Sequence, residues 1–104
     1  MNQIPPQNKA AEQQLLGALI ADSNMYFLIS GLVTDQSFYH TKHQLIFNAI
    51  TDLISEETPV DLLSLSEKLN GRVKQSELIE ISNSMPSGAN AEYYAKIVAE
   101  KATR

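Results

Sequence analysis

The stretch TKHQLIFNAITDLI, residues 41–54, decides how the chain is read. Its apolar side chains, Leu45, Ile46, Phe47, Ala49, Ile50, Leu53 and Ile54, recur with a 3.6-residue period and cover more than one helical face. Such a stripe predicts a central helix packed on more than one side. Thr41 and Gln44 have the spacing of a capping box, and Glu56-Glu57-Thr58-Pro59 breaks the pattern.

Working outward, Asn8 is a good N-cap, and Ala11, Leu15, Leu16, Leu19 and Ile20 then share one helical face, so a first helix is expected from about Lys9 to Ala21. Asp22-Ser23-Asn24 reads as a turn. Met25, Leu28, Ile29 and Leu32 follow at i, i+3, i+4 and i+7, which predicts a second, shorter helix. Asp61 can cap a fourth helix through Leu62, Leu65 and Leu69, stopped by Asn70-Gly71. Ser76 can cap a fifth carrying Leu78, Ile81 and Met85, ended by Pro86. Asn90 can cap a sixth with Tyr94, Ile97 and Val98 on one face, still running at Arg104. No segment alternates apolar and polar residues with period two over a useful length. The expected fold is all-α: a compact bundle of about six short helices forming one domain over residues 1–104.

Composition narrows the function. With 104 residues and 43% hydrophobic content, the chain can bury roughly 65% of its unfolded surface. It has no cysteine, which excludes disulfides and cysteine-based metal sites and fits a reducing, cytoplasmic setting. Neither a signal peptide nor a membrane span is legible, and a soluble protein is expected. The net charge of −4 and the scattering of its eight basic residues argue against direct DNA binding, and no helix has the basic exposed face of a DNA-recognition helix.

Catalytic chemistry is not legible either. The glycines at 17, 31, 71 and 88 are isolated and build no phosphate-binding loop. His40 and His43 lie three apart without a third ligand nearby, so packing or capping is expected of them, not a metal. No nucleophile motif occurs, and Glu56-Glu57 reads as a solvated turn. Tyr26, Phe27, Phe38, Tyr39 and Phe47 are expected to fill the core, whereas Tyr93 and Tyr94, adjacent on a helix, cannot both face inward.

Four blocks of sequence resemble the N-terminal domain of DnaB-type replicative DNA helicases, bacterial or phage. They are Ile4-Pro5-Pro6 with Glu12-Gln13 and Leu16-Gly17; Phe38-Tyr39 with His43 and Ile46-Phe47; Pro59-Val60-Asp61-Leu62 with Leu65; and Pro86-Ser87 with Ala89-Asn90, Tyr94-Ala95 and Ile97-Val98. The resemblance implies a helical headpiece followed by a hairpin, a linker and a RecA-type ATPase domain. Six such subunits would form a ring with the headpieces as its collar. ATP and Mg²⁺ would then belong to the motor domain, and no cofactor to this stretch. Implied partners are the other helicase subunits and a primase or loader, with DNA contacted mainly through the motor. The isolated chain is expected to be a monomer or weak dimer.

Two departures fall on possible partner surfaces: Ala10, where the family commonly has Glu, and the shortened connection 70–77. Residues expected to meet a partner are Lys9, Gln13 and Gln14 on the first helix and Tyr93, Ile97 and Lys101 on the last, the latter three spaced i, i+4, i+8. The alternative from another class is a stand-alone adaptor that lacks the motor and regulates a helicase through its collar.

Overall fold

In a computed structural model, which describes residues 6–85 and 87–102, the chain folds into six α-helices and one 3-10 turn. The helices are α1 (Pro6–Ala21), α2 (Met25–Ile29), α3 (Thr41–Ser55), α4 (Leu62–Leu69), α5 (Gln75–Ser82) and α6 (Ala91–Ala102), and the turn is Asp35–Ser37. No strand occurs among the described residues, and none of their helices is long and apolar enough to cross a membrane.

Helix α1 begins earlier than its expected cap. Pro6 occupies the first helical position, where its missing N–H costs no hydrogen bond and its fixed φ already suits a helix, so Asn8 lies inside the first turn. The anticipated face, Ala11, Leu15, Leu16 and Leu19, is buried, and Glu12 and Ala18 are buried beside it. Burial extends around the helix because α1 packs against α2, α3, α5 and α6, and its pairing with α6 is the most extensive in the molecule. Thus α1 shares the central position expected of α3. Small residues permit this crowding: a Cβ on Gly17 would stand 2.5 Å from Ser84 Oγ and 2.6 Å from the Ile81 carbonyl oxygen.

Helix α3 buries Ile46, Phe47, Ala49, Ile50 and Leu53 against α1, α4 and the 3-10 turn, as its broad stripe requires. Its expected capping box does not form. The N-cap is His40, Thr41 is already helical, and the Gln44 side chain donates to the Phe38 carbonyl at 2.7 Å. A free carbonyl at the end of the preceding loop captures the amide that the box would have used. The Asp61 cap does form: Asp61 Oδ1 accepts from Ser64 N at 2.8 Å, and Ser64 Oγ accepts from Asp61 N at 3.0 Å. Asn70 and Gly71 then end α4 with φ of 51° and 85°, the left-handed backbone that such residues tolerate.

One other helix start and one face differ from expectation. Helix α5 begins at Gln75 after an N-cap Lys74 that makes no side-chain cap bond, so Ser76 is not the cap. It ends at Ser82, upstream of Met85, which is half-buried beyond the helix; Pro86 lies outside the described residues. Asn90 precedes α6 as expected, and its carbonyl accepts from Tyr94 N at 3.1 Å; Ile4-Pro5, Thr103 and Arg104 lie outside the described residues.

Helix α2 is a short helix that stops at Ile29, where the Ile29 carbonyl accepts from both Leu32 N and Val33 N and turns the chain. After that turn the helical period no longer applies, so it does not place Leu32 inward. Ile29 and Val33 are buried, while Phe27, Leu28 and Leu32 face outward, Phe27 at 67% exposure. Of the five aromatics expected in the core, Phe38 and Phe47 are buried with ring centroids 5.1 Å apart and Tyr26 is half-buried, accepting a bond from Thr51 Oγ1 at 3.2 Å; Tyr39 is exposed like Phe27.

Because the Ile81 backbone oxygen cannot yield as a flexible side chain would, Gly17→Ala should lower stability by about 1–3 kcal/mol, read from denaturant midpoints. An unchanged midpoint would show that α1 and α5 can separate freely.

Candidate docking cleft

Glu12 is the one acidic residue in the buried set, 1% exposed, and it sits on the face of α1 that also carries Leu15, Leu16 and Leu19. A buried carboxylate is tolerated only when its oxygens are bonded. Here both are: His43 Nδ1 donates to Oε1 at 2.6 Å and Tyr39 N donates to Oε2 at 2.8 Å. His43, itself 4% exposed, is thereby fixed at the first turn of α3. The link joins α1, the loop before α3 and α3 itself. Its signal in the sequence was a charged residue placed three, four and seven positions before the core leucines.

His43 of this cluster also lines a cleft of about 360 Å³ between α1, α3, α5 and the turn at Val73. Ile46, Val73 and Ile81 give it an apolar lining; Lys9 and Gln13 line it from α1, His40, Thr41, Lys42 and His43 from the start of α3, and Glu77 and Glu80 from α5. Lys42 Nζ donates to Glu77 Oε2 at 2.8 Å, and this bond holds the Glu77 carboxyl below its ordinary range. Glu77 Oε1 and His40 Nε2 are sealed from solvent without a hydrogen-bond partner. Among the described residues no group of three or more metal-ligating side chains assembles, and the His40 and His43 rings meet edge to face at 5.1 Å.

The expected partner residues do not form one site. Lys9 and Gln13 both line the cleft, Lys9 exposed and Gln13 half-buried. Gln14 is half-buried outside that lining, and Ala10 is exposed on α1. On α6, Tyr93 is 63% exposed, whereas Ile97 packs against the core and Lys101 is half-buried. Helical spacing put these three on one side, but that side grades from solvent at Tyr93 into the packing of α6 on the core. The cleft residues His40, Lys42 and Glu80 were not expected, since they come from separate elements and carry no local motif, whereas Glu77 ends the connection 70–77 expected as possible partner surface.

The shortened connection 70–77 is tightly built. Arg72 Nε donates to the Leu69 carbonyl at 2.9 Å and Arg72 Nη2 to that of Lys68 at 3.3 Å, satisfying free carbonyls at the end of α4. Val73 is buried and reaches the cleft lining. At the Glu56-Glu57 turn, Glu56 Oε2 accepts from Lys68 Nζ at 2.6 Å and Glu57 takes a φ of 58°.

Removing either partner of the buried pair should be costly: Glu12→Ala and His43→Ala should each lower stability by about 3–5 kcal/mol, with the double variant losing clearly less than the sum. Additive losses in denaturant unfolding would show that the pair is not coupled. His40 supplies a pH dependence. Burial, with help from His43 and Lys9 and against Glu12, lowers its pKa below 6.5. The unfolded chain then binds that proton more readily, so stability should be fullest above pH 6.5 and decline as pH falls through the lowered value. His40→Gln should flatten this part of the profile, and an unaltered slope would assign it elsewhere.

Comparison with known proteins agrees with the sequence blocks. The model of the DnaB-like helicase N terminal domain matches residues 4–100. The replicative DNA helicase DnaC of Bacillus subtilis is 40% identical over 106 residues, covering 96% of this chain and 23% of that protein. The replicative DNA helicase DnaB of Geobacillus stearothermophilus is 39% identical over 104 residues, covering 94% of this chain and 23% of the relative, so the chain spans less than a quarter of such proteins. The crystal structure of the N-terminal domain of DnaB helicase from Mycobacterium tuberculosis superposes with a TM-score of 0.87 at 33% identity, over 95% of this chain and 73% of that one. With the helical fold, the Glu12–His43 link between two of the resembling blocks and a family match spanning most of its length, the chain belongs to the DnaB-like helicase N-terminal domain family.

Proposed function

We infer that the chain serves as the non-catalytic headpiece of a cytoplasmic replicative DNA helicase, helping to assemble a hexameric ring and its collar and docking a primase or a helicase loader. The observation that carries this reading is the family match over residues 4–100. ATP hydrolysis with Mg²⁺ and translocation on single-stranded DNA would fall to a RecA-type motor domain, and DNA would meet the parent protein mainly there.

A headpiece works through surfaces, and the candidates here have the right character. Tyr93 is a large aromatic at 63% exposure on α6, the kind of residue that anchors interfaces. Lys9 and Gln13 border the cleft, and Gln14 lies on the same helix. Ile97 and Lys101 would contribute from the partly buried edge of α6.

Titrating the chain with the primase and the loader of its own replication system tests the docking role. Binding should be measurable with one of them, Tyr93→Ala should weaken it about tenfold without changing stability, and Ile97→Ala should lower stability as well. Binding of neither would overturn the docking role, and ATP turnover by this chain alone would overturn its non-catalytic assignment. Light scattering should give a monomer or weak dimer at micromolar concentration. A dimer or hexamer that survives dilution to nanomolar would contradict that state.

A further inference from the structure

We propose that the outer face of α2 is a docking surface for a basic amphipathic helix of a protein partner. Phe27 and Leu28, both more than half exposed, stand with Leu32 as a run of large apolar side chains turned to solvent. Phe27 also lines a groove of about 310 Å³ with Ile54, Glu57 and Pro59, where the start of α2 meets the end of α3. The support beneath is fixed: Ile29 is buried, and Tyr26, whose ring meets that of Phe27 edge to face at 5.9 Å, is tied to α3 through Thr51. A preformed apolar surface loses little freedom when it is covered. The inference goes beyond the headpiece reading, because it names the chemistry of an occupant for residues that reading does not use.

Charge selects the occupant. No Lys or Arg occurs in residues 10–41 or 43–67, which build α2, its flanks and most of α3. Glu57 lines the groove, Asp35 follows Leu32 and is held beside α3 by Asn48, and neither forms a salt bridge among the described residues. The cations that flank this region are engaged: Lys68 binds Glu56, and on the neighbouring α6 Lys96 lies 3.8 Å from Glu92. An apolar face with an acidic rim suits a partner whose apolar stripe is bordered by Lys or Arg. Self-pairing about a two-fold axis would bring the same carboxylates together, and an anionic lipid surface would be repelled. A helix fits because it satisfies its own backbone, whereas an extended segment would find no strand edge among the described residues.

The test is a titration of the ¹⁵N-labelled full chain with the helical peptide acetyl-Lys-Leu-Leu-Lys-Lys-Leu-Leu-Lys-Lys-Leu-Leu-Lys-amide and, separately, with its counterpart carrying Glu in place of each Lys. The lysine peptide should shift the amides of Phe27, Leu28, Leu32 and Glu57, and raising the salt concentration to about 1 M should weaken it. The glutamate peptide should leave those amides unmoved. Phe27→Ser and Leu28→Ser should each weaken the lysine peptide about tenfold, the latter at a site exposed enough to leave the spectrum folded, and Glu57→Gln about threefold. Equal affinity for the glutamate peptide, shifts confined to another face, or binding indifferent to all three substitutions would overturn the proposal. So would a self-association that Leu28→Ser abolishes, which would assign the face to a second copy of the chain. Binding of primase or loader without binding of the lysine peptide refutes this assignment and leaves the headpiece reading standing.

Discussion

The contact on which the rest of the structure depends is the buried meeting of Glu12 with His43 and the Tyr39 amide. A carboxylate at 1% exposure would be costly unless both oxygens were occupied, and the arrangement of α1, the loop through Tyr39 and α3 occupies both. Apolar packing alone tolerates small slips between helices; two short polar contacts to one carboxylate do not. With α1 and α3 fixed in this way, α1 can meet α5 closely at Gly17 and pack along α6, and α4 can close on α3.

The same constraint shapes the cleft. His43 is immobilised from one side by Glu12, and His40 meets it edge to face with an unpartnered Nε2. Across the cleft, the compact turn through Arg72 and Val73 sets the start of α5 and so brings Glu77 within reach of Lys42. These groups are anchored on helices, not on long loops, which gives the surface a defined pattern of charge and apolar floor. A surface this well supported can be specific in what it contacts.

Local signals were legible where the chemistry was complete within a few residues. Asp61 and Ser64 satisfy each other's backbone, and Asn70-Gly71 adopts the left-handed turn that ends α4, so both read correctly from sequence. Thr41 and Gln44 had equally suitable spacing, yet Gln44 found the Phe38 carbonyl, a competitor that exists only once the preceding loop is placed. Leu32 continued a helical face, yet the chain turns at Ile29 and puts Val33 inside, while Leu28, still within α2, is exposed.

By itself the sequence determined the all-α class, the broad core stripe of α3, the capped start and the stop of α4, and the family to which the chain belongs. Those properties rest on periodicity, on cap and turn chemistry between near neighbours, and on four blocks in order along the chain. Tertiary structure alone decided that Glu12 is buried against His43, that α1 is enclosed by four helices, and that Lys9, Gln13, His40, Lys42, Glu77 and Glu80 border one cleft. The physical reason is separation along the chain: Glu12 and His43 are 31 positions apart and Lys42 and Glu77 are 35, so neither contact leaves a spacing that a local pattern can reveal.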